Sequence, residues 1–240
     1  MKLNIVVSLF LIGSFFSCST PNIVVSSSLK NNTSIYEVTG RQGWQFNQII
    51  SFGNFKTSKI KRGWNLGYNI PFKIHFKGAK EKLSFIQNTT NEKAQVNCIG
   101  KFKSTEYNLI EDFFAIELSY KNYFAGSISI DSSKNNWNFI LHEPNGNSLK
   151  NSTFGFIKNS KNKQQIIIKP VKKIEGQANW IQIDNHGFEF LYNGTSIAAV
   201  SLLNNGRVWI KNDLNNELQT VISSVASALL VRHNLEESLN

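Results

Sequence analysis

An uncharged run, residues 221–231, lies inside a segment from Asp213 to Glu237 that reads as one α-helix. Its apolar residues fall at 221, 222, 225, 226, 228, 229, 230 and 231. At about 100° per residue they pass most of the way round the helix instead of forming one stripe. A helix apolar on nearly every side is surrounded by protein or by lipid. The uncharged run has eleven residues, short of the roughly 20 that a bilayer span needs. Enclosure by protein is what is left. Ser223, Ser224, Ala226, Ser227 and Ala228 are small, so walls around the helix can come close.

From Ser34 onward the chain before this helix reads as strand. Period-two segments follow one another, broken by Gly, Asn and Ser. They fall at 35–38, 55–61, 72–77, 82–87, 94–102, 113–120, 123–130, 137–142, 153–157, 165–169, 180–183, 188–192, 196–202 and 207–211. In 72–77 the alternation is clean: Phe72, Ile74 and Phe76 point one way, Lys73, His75 and Lys77 the other. Hairpin signals stand at Asn185-His186-Gly187, Asn193-Gly194 and Asn205-Gly206. Short, even spacing predicts antiparallel pairing. The expected fold is mainly β, a closed antiparallel barrel of about 12 strands around a central hydrophobic C-terminal helix spanning 213–237. Residues 34–240 form one domain in this reading. Asn212 or Asp213 is the expected N-cap, and Arg232 and His233 are placed near the opposite end, where the dipole favours cations.

The N-terminus reads as an address. Met1 to Asn4 is a short positive region, and Ile5 to Phe16 is an apolar stretch too short to span a bilayer. Residues 1–17 are therefore expected to be a signal peptide. Ser14-Phe15-Phe16-Ser17-Cys18 looks like a bacterial lipobox, with Phe15 where leucine is commonest. That resemblance implies acylation of Cys18, anchoring to a membrane, and a periplasm-facing place in the cell envelope; two or more acyl chains anchor stably, at about 0.8 kcal/mol per buried methylene. Residues 18–33, rich in Ser and Asn, read as a flexible tether. The only other cysteine, Cys98, sits in an alternating strand and reads as a small core residue.

Charge is uneven. The chain carries a formal +10. Between Gly40 and Lys103 lie twelve Lys or Arg and only two acids, Glu81 and Glu92. Such a stretch is a solvated basic face or the footprint of an anionic partner. Lys56, Lys59, Lys61, Arg62, Lys73, Lys77, Lys80 and Lys82 are the candidate contacts for anionic lipid headgroups or another polyanion, with Arg as a fork and Lys as a point charge. Trp44, Trp64 and Tyr68 suit a membrane interface or a core equally. No nucleic acid is expected for an exported lipoprotein.

The stretch Gly194 to Ile210, followed by an acidic cap and an apolar C-terminal helix, resembles the tubby-like superfamily: tubby C-terminal domains, LURP-one-related proteins and phospholipid scramblases. The resemblance implies a barrel of about twelve strands threaded by its C-terminal helix. It also implies phosphoinositide binding by basic barrel residues, with no residue-by-residue match here.

No catalytic chemistry stands out. His75, His142, His186 and His233 show no metal-ligand spacing. There is no Gly-x-Ser-x-Gly and no phosphate-cradling glycine loop. Glu111 and Asp112 are adjacent, as are Glu236 and Glu237, so neither pair faces one reacting group. The expectation is a non-enzymatic protein without cofactor or metal. Two other readings stay open: a lipocalin-like carrier with a hollow barrel and an outer helix, and a scaffold for another envelope protein.

Overall fold

The structure, a computed structural model, describes residues 21–41, 47–63, 81–100, 123–132, 135–142, 154–162, 164–177 and 185–237. Its strands are β1 (Thr33–Glu37), β2 (Ser51–Phe52), β3 (Phe55–Thr57), β4 (Lys61–Arg62), β5 (Glu81–Asn88), β6 (Lys93–Gly100) and β7 (Tyr123–Ile130). They continue with β8 (Asn136–His142), β9 (Phe154–Asn159), β10 (Gln165–Val171), β11 (Gly187–Tyr192), β12 (Thr195–Ser201) and β13 (Arg207–Lys211). A single α-helix among the described residues, α1 (Asn216–Glu237), ends the chain's described part.

Twelve strands pair in the order β1-β13-β12-β11-β10-β9-β8-β7-β6-β5-β3-β2, every pair antiparallel, with β4 beside β5. The two ends of that path nearly meet. Thr39, just past β1, exchanges both backbone hydrogen bonds with Ser51 of β2, at 2.9 and 3.1 Å. Bringing the edges together removes the open row of unpaired amides that a free sheet edge presents.

Alternation decides what faces inward. Leu83, Phe85 and Gln87 of β5, Ile166 and Ile168 of β10, and Val208 and Ile210 of β13 are all buried. The interior is filled by α1. Every side chain from Thr220 to Arg232 is buried, polar ones included. The enclosed helix read from residues 221–231 is thus the centre of the barrel, and the hollow layout with an outer helix is not this fold. The hydroxyls inside are satisfied locally: Ser224 donates to the Thr220 carbonyl at 2.7 Å, and Ser227 donates to Gln87 Oε1 at 2.9 Å. Small residues let rings enter elsewhere too. A Cβ on Gly126 would fall 2.2 Å from the Phe139 ring, its cross-strand partner.

Tight turns gather at one end of the barrel, where α1 begins. Asn193 and Gly194 both have positive φ there, as the Asn-Gly signal predicts for the β11–β12 hairpin. The other end, called the mouth below, holds the C-terminal part of α1. Gly206, at φ +93°, comes so close that a Cβ would lie 2.6 Å from Leu230. Buried Arg41 spans the same region, donating to the carbonyls of Leu202 (2.7 Å), Asn204 (2.8 Å) and Leu230 (3.3 Å).

Several expectations change. The strand expected over 55–61 is broken into β3 and β4. Ser58 sits between them, its amide bonded to the Ile86 carbonyl and its hydroxyl accepting the Ile86 amide, so the ladder bends. The N-cap is Asn215, whose side chain accepts the Leu218 amide at 2.8 Å. Asn212 is occupied instead by Ser34, which donates to its side-chain oxygen at 2.6 Å. Arg232 does not act as a helix-end cation: it lies before the last turn of α1, which has no basic residue, and its guanidinium lies 4.8 Å over the Phe124 ring. Residues expected as a flexible tether are packed. Ile23 and Leu29, 1% and 2% exposed, lie with Val171, Ala199 and Trp209 against the outer face of β10–β13. Burying those apolar side chains is what holds residues 22–29 down as a strap. The segments expected as strands at 72–77, 113–120 and 180–183 lie outside the described residues, as do 1–17 and Cys18.

Candidate functional site

The basic stretch meets the barrel at β3, β4 and β5. In β3 the burial alternates, Phe55 and Thr57 inward and Lys56 exposed. Lys56 stands opposite Asn88, Lys61 opposite Ser84, and Lys82 lies two residues along β5 from Ser84. All three fall on the outer face, because residues i and i+2 of a strand share a face. Lys61 and Lys82 are diagonal neighbours, within reach of one ligand. Lys59 is exposed on the connection between β3 and β4. Lys56 is at the tight-turn end and Lys82 at the mouth, six residues apart along β5, or roughly 20 Å.

Arg62 does not belong to that face. It follows Lys61 directly, so its side chain points the other way. Its guanidinium donates to Gln48 Oε1 at 2.5 Å, and Gln48 in turn donates to the carbonyls of Gly40 and Arg41. Arg62 is part of the polar lining between the sheet and the loop after β1. Lys73, Lys77, Lys80, Trp44, Trp64 and Tyr68 lie outside the described residues.

The interior offers structural chemistry. Cys98 is buried, and burial pushes its thiol far above the ordinary range; a thiol so held is a poor nucleophile. His142 closes β8, buried, with its ring 5.3 Å from that of its cross-strand partner Tyr123. Burial lowers its pKa. Among the described residues no three His, Cys, Asp or Glu side chains gather as a metal site.

A second basic cluster lies outside the stretch from Gly40 to Lys103. The strap formed by residues 22–29 crosses the outside of β10 and β11. The Val24 amide donates to the Lys173 carbonyl and the Glu175 amide to the Asn22 carbonyl, both at 2.8 Å. Further along, Ser26 donates from its hydroxyl to Glu189 Oε2 at 2.6 Å and from its amide to Oε1 at 2.5 Å. Glu189 is 4% exposed, and these two donors offset the cost of burying its charge. Beside this latch is an open groove of about 360 Å³, lined by Val24–Ser26, Lys169–Lys173 and Glu189. Lys169 and Lys173 are exposed and Lys172 is partly exposed. The signal was present in the run Lys169-Pro-Val-Lys-Lys173, but it lies outside the strongly basic stretch and reads as a connecting loop.

No family model, curated protein or solved structure matches this chain.

Proposed function

We propose that this chain is a lipid-anchored envelope protein, not an enzyme, that contacts anionic lipid headgroups through the basic outside of its barrel. The observation that carries the reading is the division of the barrel. Its interior is taken up by α1, while Lys59, Lys61 and Lys82 stand on the outer surface of β3–β5 and its connection. A filled barrel leaves the outside as the place for a ligand. The basic sign of that outside selects an anionic one. The lipobox-like Ser14–Cys18 supplies the membrane, and the helix-threaded twelve-strand layout is the one that a tubby-like relationship implies.

Residues 19–240 are the chain to test, since every contact described above lies between Asn22 and Glu237. Vesicles of phosphatidylcholine, with and without phosphatidylglycerol, give the comparison. Binding that needs phosphatidylglycerol, and that drops when Lys59, Lys61, Lys73, Lys77 and Lys82 are changed to Glu, supports the reading. A wild-type chain that ignores phosphatidylglycerol overturns lipid binding; an unaffected five-site variant overturns this face as its seat. Mass spectrometry of the membrane-extracted full chain checks the anchor: diacylglycerol on Cys18 is expected, and an unmodified Cys18 refutes it.

A further inference from the structure

We infer that the groove between the N-terminal strap and β10 binds the phosphate of an anionic phospholipid, and so turns the mouth of the barrel toward the bilayer. This rests on the lipid-anchored reading above and adds the site and the orientation. The geometry comes from where the strap begins. Asn22 is fixed beside Glu175, and Ile23 bridges Ile174, just beyond the mouth end of β10. Only Ser19, Thr20 and Pro21 separate Asn22 from Cys18. Fully extended, four residue steps span at most about 14 Å. An acyl chain on Cys18 therefore holds the mouth, not the tight-turn end, near the headgroups.

The groove is what that position brings to the membrane. Lys169, Lys172 and Lys173 are the cations beside the strap's first residues. The carboxylate there, Glu189, is directly opposite Lys169 in the β10–β11 register, and Ser26 already donates to both of its oxygens. Exposed Glu175, two residues past Lys173, is the other acid nearby; Lys169, Lys172 and Lys173 outnumber both, leaving the groove positive. Strap side chains Val24 and Val25 form an apolar wall on one side, and Val24 is 36% exposed, which suits the boundary between headgroup and acyl chain. Across the mouth, Lys82 stands at the start of β5. The two basic clusters thus mark two parts of one rim, whereas Lys56, Lys93 and Lys161 belong to the tight-turn end.

The test compares two variants of residues 19–240 with the same change in charge. One carries Lys169→Gln, Lys172→Gln and Lys173→Gln, the other Lys56→Gln, Lys93→Gln and Lys161→Gln. All six side chains are at least partly exposed, and circular dichroism confirms that both variants fold. Affinity for phosphatidylglycerol vesicles is expected to fall about a hundredfold in the first and to stay close to wild type in the second. Equal affinity of the two variants overturns the site, given a wild type that binds. A wild type that does not bind overturns the lipid reading itself, a distinct result. Free glycerol phosphate that competes at the same concentration as vesicle-borne headgroups overturns the membrane as the source of the ligand.

Discussion

The indole N–H of Trp137 donates to Glu217 Oε1 at 2.8 Å, so the wall of the barrel is hydrogen-bonded to the first turn of the helix it surrounds. Asn135 donates to the same oxygen at 3.0 Å. Glu217 also sits where the positive end of the helix dipole favours an anion. One carboxylate thereby ties the first turn of α1 to β8 at the tight-turn end, as Ser227 ties the helix to Gln87 of β5 further along.

Removing that carboxylate leaves a buried donor alone. Glu217→Ala is expected to destabilise residues 19–240 by about 1–3 kcal/mol, because Trp137 is fully buried and its N–H then has no acceptor from α1. Glu217→Gln keeps an acceptor oxygen and loses only the charge, about 0.3–1 kcal/mol. Urea unfolding followed by circular dichroism measures both. Equal losses in the two variants would show that the charge, not the acceptor, matters.

The strap depends on one latch. Glu189→Ala removes the acceptor of both Ser26 hydrogen bonds, while leaving the inward face of β11 intact. Trypsin is expected to cut after the exposed Lys30 at least several times faster in this variant, with the barrel core still resistant. Wild-type cleavage kinetics in the variant would mean that Ile23 and Leu29 hold the strap alone.

Acid is expected to weaken the barrel through His142. Burial places its folded-state pKa below the unfolded value, near 6.5. Above the unfolded value both states are neutral there and the contribution is constant. Below it the unfolded chain takes up a proton that the folded one resists, so stability falls as pH falls, by up to about 1.4 kcal/mol per pH unit. His142→Phe keeps a ring against Tyr123 and removes the titration. Urea midpoints between pH 7 and pH 5 are expected to fall less for this variant than for wild type.

How much of this was legible in the sequence differs from part to part. The enclosed helix was, because an uncharged run with apolar residues on all sides has few other places to go. Antiparallel pairing around it was legible from the short spacing, and the β11–β12 hairpin from Asn193-Gly194; the pairing of β1 with β13 was not, because nothing local joins two strands so far apart in the chain. The split of Lys61 from Arg62 was readable in principle from the period of two. It was hidden by the break at Ser58, which restarts the strand. The strap was not legible. Its composition is that of a linker, and the residues that capture it, Val171, Glu189, Ala199 and Trp209, come together only when β10 to β13 are side by side. The same holds for Lys169, Lys172 and Lys173, whose meaning depends on Asn22 ending beside them.

The barrel surrounds α1 on every side, and the reactivity of thiols placed around the helix measures that enclosure. Ser223, Ser224, Val225 and Ala226 are consecutive, so single cysteines at these positions sample about 300° of the helix circumference. Residues 19–240 supply a quiet background, since Cys18 is absent and Cys98 is buried. All four cysteines are expected to resist a maleimide in native buffer and to react once urea unfolds the chain, while a control at exposed Ser132 reacts at once. A native reaction at any of the four as fast as at Ser132 would place that side of the helix in solvent and contradict the account.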